Sequence, residues 1–228
     1  MATKQTGTPA KERLSRERIV DCAIALADAE GLEAVTIRRL AQDQGVTPMA
    51  LYWHFKDKDL LFNGIAERLL TDVELPDEGE GRPWDEQFRD LLAAMLVVLR
   101  AHPAVADLLH TRFMLSERGL DITERALTLL RGAGFDPEQA AQLAGQALNS
   151  IVLLVANEPG VLVGEAADER EQRLRTKRAT FQVLSPDRYP HLLASADAFT
   201  DCGNVRAYFD LGLDLFIAGV RGVAPVRP

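Results

Sequence analysis

The sequence predicts an all-α protein in which an N-terminal three-helix helix-turn-helix domain precedes a larger C-terminal helical domain. Helix-capping residues recur along the 228 residues, and apolar residues follow them at helical spacing. No segment shows a convincing alternation of apolar and polar residues, which is typical of strands. Hydrophobic residues make up 47% of the chain and charged residues 26%, so the chain can bury a sizeable core.

The first two helices can be placed from their capping residues. Ser15 can cap a helix that ends at Gly31, because apolar residues follow at i, i+3, i+4 and i+7 from Ile19. Thr36 can cap a second, shorter helix that ends at Gly45. Both helices are therefore expected to turn an apolar face toward a common core.

Two more helices follow directly. Thr47-Pro48 places a capping residue before a proline at the first helical position, so a third helix is expected to run through about residue 54. Asp57 can cap a fourth helix, which runs from Lys58 past Leu69. The acidic, glycine- and proline-containing stretch at 76–83 is predicted to be a loop at the edge of the helical body.

The rest of the chain contains further helical segments. Asp136-Pro137 followed by Gln139 is a strong helix start, because it combines a cap, a proline at the first position and a glutamine at the third. Helices are predicted at about 84–100, 103–110, 118–131, 137–157, 186–195 and 204–220.

Several classes of protein are disfavoured by what the sequence lacks. Cys22 and Cys202 have no CxxC or metal-ligand spacing and are interpreted as reduced structural thiols. The N-terminus has no apolar signal region, and the longest apolar run, 91–99, is far shorter than the roughly 18 residues of a membrane span. GxSxG, P-loop, GxGxxG and HExxH motifs are absent. We therefore expect a cytoplasmic protein without a membrane partner, a metal, a cofactor or enzymatic activity.

The net charge of −8 is unevenly distributed along the chain. Residues 1–60 contain nine basic and nine acidic residues, so the C-terminal remainder carries the whole excess of acidic residues. Residues 1–20 are locally basic, with a charge of +3. A neutral N-terminal module with a basic arm is compatible with DNA binding, although such an arm is also common in solvated tails.

Residues 36–54 have the layout of a helix-turn-helix. A short helix ends at Gly45, a tight turn passes through Val46, and Thr47-Pro48 begins the next helix. In such a motif the second helix presents its N-terminal residues to the major groove, while the first braces against the DNA backbone. The sequence therefore predicts double-stranded operator DNA as a partner.

The same stretch resembles a known family. Residues 36–61, with the run Leu51-Tyr52-Trp53-His54-Phe55 followed by Lys58, are similar to the N-terminal DNA-binding domain of the tetracycline-repressor (TetR) family, over roughly 13–62. The resemblance implies a transcriptional repressor that binds a palindromic operator as a homodimer and is released by a small-molecule effector. It also implies a flexible basic arm at 1–12, a helix-turn-helix domain at 13–62, and an effector-binding and dimerisation domain at 63–228.

The resemblance further implies which residues meet DNA. Thr47, Pro48 and Met49 begin the recognition helix and would face base edges, where an apolar side chain suits a thymine methyl group. Arg38 and Thr36, at the start of the bracing helix, would touch phosphate or a base edge. The residues that would position the domain on the phosphate backbone are Tyr52, Trp53, His54 and Lys58. Arg39 is expected to form a surface ion pair instead. The alternative that Tyr52 and Trp53 are only packed aromatic residues stays open.

The C-terminal part resembles the family in patches, at 84–89 and 208–219. This similarity implies a dimer interface of four helices, built from those near 137–157 and 204–220 of each subunit. The candidate interface residues are Ala141, Gly145, Leu148, Leu211, Leu215 and Phe216. Small residues permit close helix approach and large apolar residues can serve as anchors, but both faces could instead line an intramolecular core.

An effector pocket is expected among the helices at 84–157. The tetracycline repressor uses polar and histidine side chains to bind a magnesium chelate, whereas the matching positions here are mainly apolar. The candidate effector-binding residues are Leu91, Met95, Leu109 and Phe113. This departure favours a mostly apolar effector, and the alternative is that these residues are plain core. His102 and His110 are too far apart to form a helical metal-binding pair.

A second function class competes with DNA binding: a helical binding protein or an enzyme whose helix-turn-helix serves protein contacts only. The sequence favours DNA over this alternative, because Tyr52, His54 and Lys58 offer hydrogen-bond donors suited to phosphate oxygens.

Overall fold

The computed structural model describes residues 14–77, 81–159, 167–200 and 204–225. These ranges contain helices and no strand, so the predicted all-α class is confirmed. The α-helices are, in order, α1 (Arg16–Glu30), α2 (Ile37–Asp43), α3 (Pro48–Tyr52), α4 (Lys58–Thr71), α5 (Trp84–Ala101), α6 (Leu108–Arg112), α7 (Glu117–Gly132), α8 (Pro137–Ala156), α9 (Ala167–Gln182), α10 (Pro190–Ala194), α11 (Ala196–Thr200) and α12 (Val205–Gly222). Short 3-10 turns lie at Leu32–Ala34, Pro103–Val105 and Phe113–Leu115.

The predicted caps of the N-terminal helices are largely confirmed. The side chains of Ser15, Thr36 and Asp57 each accept a hydrogen bond from the backbone N–H three residues later, at 3.2, 3.1 and 2.7 Å. The predicted cap at Thr47 is wrong in one respect, because its side chain makes no such bond. Pro48 begins α3 instead, since its fixed φ angle suits the first helical position and it has no N–H to satisfy.

The start of α8 is also confirmed. The carboxylate of Asp136 accepts a hydrogen bond from the backbone N–H of Gln139 at 2.9 Å, and the Gln139 side chain accepts one from the Asp136 N–H at 3.2 Å. Two free helix-end donors are thereby satisfied by one short motif.

Three C-terminal segments differ from the predicted helices. Residues 103–110 form a 3-10 turn that leads into α6. Within the helix predicted at 186–195 only α10 is an α-helix, and α11 follows it. Helix α9 is not predicted from the sequence, because its own charged and polar residues occur on every side of the helix and leave no apolar stripe.

The N-terminal core is enclosed by α1 to α4. Leu51 and Phe55 are fully buried in it, as their spacing predicts, and Cys22 packs against it as a half-buried free thiol. Val105 and Leu108, which follow α5, belong to the same core. The helix-turn-helix domain is therefore completed by residues from the C-terminal part of the chain. Cys202 lies outside the described residues.

The C-terminal core is formed by α5, α7, α8 and α12, and the second half of α4 joins it. Ion pairs tie α5 to α12: Arg89 contacts Asp214 at 2.7 Å, and Arg221 contacts the buried Asp85. Both pairs involve the first two turns of α5 and therefore hold the N-terminal end of this helix against α12.

Helix α4 links the two cores and runs without a break through the predicted boundary at residues 62 and 63. Polar contacts reinforce this junction. The Nδ1 atom of His102 lies 2.8 Å from a carboxylate oxygen of Asp28, and Arg112 donates to Asp59 at 2.9 Å. The helix-turn-helix region is thus connected to the C-terminal helices by α4 itself and by these two side-chain contacts.

One helix of the described ranges, α8, is long and apolar enough to cross a membrane by length and composition. It packs against α5, α7 and α12, and Ala140, Ala147 and Ile151 are buried in these contacts. These buried residues of α8 belong to the C-terminal core, whereas Leu153 of the same helix remains exposed.

Candidate nucleic-acid interface and apolar cavity

Helices α2 and α3 form the predicted helix-turn-helix. Gly45 adopts a φ angle of 63°, in the left-handed region that favours glycine, and this reverses the chain after α2. The N–H of Val46 then donates to the carbonyl of Ala41 at 2.9 Å, which closes the turn. Leu40 and Leu51 are completely buried beneath the two helices and hold them together.

The structure exposes most of the predicted DNA-binding residues. On α3 and just after it, Met49, Tyr52 and Trp53 are 66%, 46% and 86% exposed. Because these three side chains lie close together in sequence, they form an exposed cluster of the kind that marks a binding surface. The other exposed candidates are Thr36, Arg38, Thr47, Pro48 and Lys58.

His54 is the one half-buried residue among these candidates. Its carbonyl oxygen accepts a hydrogen bond from Nη1 of Arg16 at 3.4 Å, and the Arg16 guanidinium lies 4.4 Å above the ring of Phe55. Arg16 therefore places a cation beside the recognition helix. This residue is not among those predicted from the sequence, although the basic character of residues 1–20 was a signal for it.

The two adjacent arginines of α2 have different environments. Arg39 is bound by Glu30 at 2.7 Å and Asp43 at 3.0 Å, so the predicted surface ion pair is confirmed. The hydrogen bond from Arg39 holds the pKa of Glu30 below its usual range. Arg39 therefore braces α2 against α1, whereas Arg38 is an exposed cation.

A cavity of about 340 Å³ lies among α5, α7, α8 and the turn before α7. Nearly all of its lining is apolar, and Thr123 is the one lining residue of the described ranges with a hydroxyl, amide or charged side chain. The lining residues are Phe88, Leu91, Leu92, Met95, Phe113, Met114, Ile122, Thr123, Ala126, Leu127, Ala141, Ala144, Gly145, Ala147 and Leu148. Such a cavity suits a small apolar molecule.

The cavity includes three of the four predicted effector residues: Leu91, Met95 and Phe113. Leu109 is not among its lining residues. It is buried in the C-terminal core, on the short helix α6, which contacts α8. The cavity residues on α7, including Thr123, are not predicted from the sequence, because they show only the helical periodicity of ordinary core residues.

Helix α8 contributes to the cavity three residues that the sequence assigned to a dimer interface: Ala141, Gly145 and Leu148. The side chain of Leu154, on another side of α8, meets α12, where a Cβ atom at Gly212 would come within 2.5 Å of it. The small residues Ala141 and Gly145 are exposed at the cavity, and the opposite flank of α8 contacts α12.

An exposed apolar surface remains beside the contact between α8 and α12. Leu153 on α8 and Leu211 and Leu215 on α12 are 60%, 60% and 65% exposed. Leu153 and Leu211 directly precede Leu154 and Gly212, which form that contact. Phe216 differs, since it is half-buried and its ring lies 6.4 Å from that of Phe88 in the core. We call Leu153, Leu211 and Leu215 the leucine surface.

Within the described ranges, no group of three or more histidine, cysteine, aspartate or glutamate side chains could hold a metal ion. His102 follows the end of α5 and contacts Asp28, while His110 is an exposed residue of α6. Both histidines thus have ordinary structural positions.

Comparison with known proteins agrees with this geometry. Residues 19–65 match the model of bacterial regulatory proteins of the tetR family, and residues 75–224 match the tetracycline repressor-like C-terminal domain. The second match alone covers more than half of the chain. The chain belongs to the TetR family. It is therefore a DNA-binding transcriptional regulator with a helix-turn-helix domain and a ligand-binding C-terminal domain.

Individual relatives extend over nearly the whole chain of this TetR-family protein. The HTH-type transcriptional repressor DrrR1 of Streptomyces coeruleorubidus is 30% identical over 95% of this chain and 81% of its own length. The tetracycline repressor protein class C of Escherichia coli is 29% identical over 92% of this chain and 91% of its own. These relatives are bacterial transcriptional regulators, not enzymes.

A solved structure shows the same arrangement of helices. The TetR-family protein ActR of Streptomyces coelicolor, in complex with actinorhodin, is 28% identical, with a TM-score of 0.75 over 94% of this chain and 100% of that chain. The TetR-family fold therefore extends across both cores of this chain.

Proposed function

We propose that this TetR-family regulator is a repressor that binds a palindromic operator as a homodimer and is released by a small, mostly apolar effector. The observation that carries the proposal is the exposure of Met49, Tyr52 and Trp53 directly above a closed core. The chain resembles repressors along most of its length, which supports repression over activation.

The proposed division of labour at the DNA follows from side-chain chemistry. Thr47, Pro48 and Met49 meet base edges, because the first residues of a recognition helix enter the major groove. The residues at the end of α3, just after it and at the start of α4 contact phosphates on one side of the groove, and they are Tyr52, Trp53, His54 and Lys58. Thr36 and Arg38 at the start of α2 contact the backbone on the other side.

The proposed domains are the basic arm at 1–12, the helix-turn-helix domain at 13–62 and the effector and dimerisation domain at 63–228. The arm lies outside the described residues. The whole protein acts in the cytoplasm, where its DNA target lies. Its matches to bacterial transcriptional regulators support this placement.

Homodimerisation is proposed through the leucine surface, of which Leu211 and Leu215 were predicted from the sequence. Exposed leucines in a row on one helix are typical of interfaces, and a two-fold axis beside α8 and α12 would bring the four helices together. Phe216 packs against Phe88 in the core and so supports this surface indirectly. Ala141, Gly145 and Leu148 contribute to it only if the partner also covers the cavity.

The operator can be sought by selection from genomic DNA. Fragmented DNA from the source organism would be incubated with the purified protein, and the retained fragments sequenced. We expect a palindrome whose half-site centres are separated by about 10–10.5 base pairs or a multiple of that spacing. Retention of DNA without any shared palindromic sequence would contradict a site-specific dimer.

The apolar lining supports the proposed class of effector. A metal chelate would need charged or polar ligands, whereas Leu91, Met95 and Phe113 offer none. Relatives respond to small molecules according to their names: ActR is solved with actinorhodin, and the class C protein is a tetracycline repressor. An effector bound in the cavity need only favour a conformation whose recognition helices are wrongly spaced for DNA.

A short route connects the cavity to the helix-turn-helix domain. Phe113 lines the cavity, and the preceding residue, Arg112, donates to Asp59 of α4 at 2.9 Å. The Arg112 guanidinium also lies 5.5 Å from the ring of Phe62, on the same helix. A ligand that displaces Phe113 therefore displaces the side chain that holds the start of α4.

The variant Arg112→Ala tests this route. We expect the apolar compound that releases the wild type to bind the variant but to weaken its operator binding no more than about 3-fold, against roughly 5–150-fold for a typical allosteric coupling. Calorimetry and DNA titration with and without the compound measure the two quantities. Arg175→Ala, which removes an ion pair on α9, is the matched control. An unchanged effector response in Arg112→Ala would exclude this route.

The variant Gly145→Leu tests the cavity. A Cβ atom at Gly145 meets nothing within 4 Å, and leucine has a better helix propensity than glycine by up to about 1 kcal/mol. We therefore expect an unchanged or raised melting temperature, an intact dimer and at least a roughly 10-fold loss of affinity for apolar compounds, because the new side chain occupies the binding space. Dissociation to monomers would instead place Gly145 in the dimer interface.

A further inference from the structure

The cavity has a single polar feature among the lining residues that the structure describes: the hydroxyl of Thr123 on α7. The residue is half-buried, and the side chains around it are hydrocarbon, aromatic or thioether groups. A ligand that buries a polar group in an apolar site without a hydrogen bond loses binding free energy. The single polar side chain of such a site therefore determines how the ligand is oriented.

The hydrogen bonds of Thr123 determine what this group can offer. A threonine hydroxyl has one proton to donate and two lone pairs to accept with. Its oxygen lies 2.8 Å from the carbonyl oxygen of Gly119, one helical turn earlier, and 3.3 Å from the sulfur of Met114. A thioether is a weak acceptor, so the proton is directed to the Gly119 carbonyl. The hydroxyl oxygen keeps two lone pairs with which it can accept a hydrogen bond.

We propose that Thr123 is a hydrogen-bond acceptor that selects neutral, apolar effectors carrying a hydroxyl or N–H donor, such as a phenol. This inference rests on the proposed effector site. Met114 does not block the contact, because its side chain is more than half exposed and a thioether chain is flexible. A ligand hydroxyl can therefore replace the Met114 sulfur beside the threonine oxygen.

Other ligand chemistries fit this site less well. A molecule with only acceptor atoms, such as an ether, would require Thr123 to give up its bond to Gly119 or leave the ligand oxygen unpaired. A charged molecule would be separated from water without a counter-charge, since the described lining includes no ionised side chain. The site therefore discriminates by the presence of a donor on an otherwise apolar framework.

Three probes of similar shape test the proposal: 1-naphthol, 1-methoxynaphthalene and naphthalene. Calorimetry on the full-length protein would measure the affinity of each. We expect 1-naphthol to bind the wild type roughly 3- to 10-fold more tightly than 1-methoxynaphthalene, as one hydrogen bond implies. Thr123→Val keeps the shape of the side chain and should remove this preference, whereas Thr123→Ser should retain it. Thr128→Val, an exposed position of α7 outside the lining, is the matched control.

The possible outcomes distinguish a failure of this inference from a failure of the proposed function on which it rests. Equal binding of the three probes by the wild type, or a preference that survives in Thr123→Val, would overturn the role of Thr123 and leave the apolar cavity in place. Failure of all three probes to bind would overturn both. Loss of the preference in Thr128→Val as well would attribute it to α7 as a whole and so also contradict a specific acceptor.

Discussion

Replacing Tyr52 and Lys58 together with alanine is expected to weaken operator binding by on the order of 100-fold or more at physiological salt, with the fold intact. Each removed side chain takes away a hydrogen bond to a charged phosphate, worth about 1.5–3 kcal/mol. Both side chains are exposed and neither belongs to the N-terminal core, although the Lys58 ammonium lies 4.9 Å from the ring of Phe62 at its edge. Loss of the lysine cation from both subunits should also lower the slope of log affinity against log salt by about 1.8, which is about 0.9 for each lost phosphate contact.

Fluorescence titration of labelled operator DNA at several salt concentrations measures both effects. The control is Arg206→Ala, which removes the same charge from an exposed position of α12, far along the chain from the recognition helix. Unchanged affinity in a folded Tyr52→Ala/Lys58→Ala variant would show that these residues do not face DNA. A similar loss in Arg206→Ala would show that net charge, not the recognition helix, determines binding.

Leu215→Glu is expected to convert the protein from a dimer to a monomer at micromolar concentration and thereby to abolish operator binding. Leu215 is 65% exposed in the single subunit, so a partner can bury most of it. Because the dimer has a two-fold axis, each substitution occurs twice in the interface. Two lost leucine contacts cost about 4 kcal/mol, which corresponds to a loss of roughly 10³-fold in dimer affinity. Burying two unpaired carboxylates adds to this loss.

Light scattering and sedimentation measure the assembly state, and circular dichroism checks the fold. Leu120→Glu is a matched control, because Leu120 is a half-exposed leucine of α7 outside the leucine surface. A dimeric Leu215→Glu protein, or a monomeric wild type, would contradict the proposed interface. Recovery of DNA binding when the variant is fused to an unrelated dimerisation domain would confirm that spacing of the recognition helices was the function lost.

Local chemistry is sufficient to predict where the first four helices of this molecule begin and end. Ser15, Thr36 and Asp57 cap their helices through hydrogen bonds to the third residue along, an interaction that depends on sequence neighbours alone. Gly45 occupies the left-handed turn that separates α2 and α3 for an equally local reason. The family resemblance of this segment is specific enough to indicate the fold class and DNA binding without any tertiary contact.

Helix α9 shows where this kind of prediction ends. Its residues form a helix without an apolar stripe, so periodicity contains no signal for it. Its contacts with α11, including the rings of Phe181 and Phe199 at 6.2 Å, are tertiary. A helix stabilised by a neighbour distant in sequence cannot be located from its own hydrophobic pattern.

Sequence alone determined the helical class, the helix-turn-helix, the caps and the set of residues that share each face of α8 and α12. Tertiary structure alone decided which neighbour each face meets. The small residues Ala141 and Gly145 share a face with Leu148, but only the positions of α5 and α7 turn that face into a cavity wall. Helical periodicity specifies direction around an axis, whereas the partner in that direction depends on contacts between distant segments. For the same reason only the folded chain could place Val105 in the core of the helix-turn-helix domain.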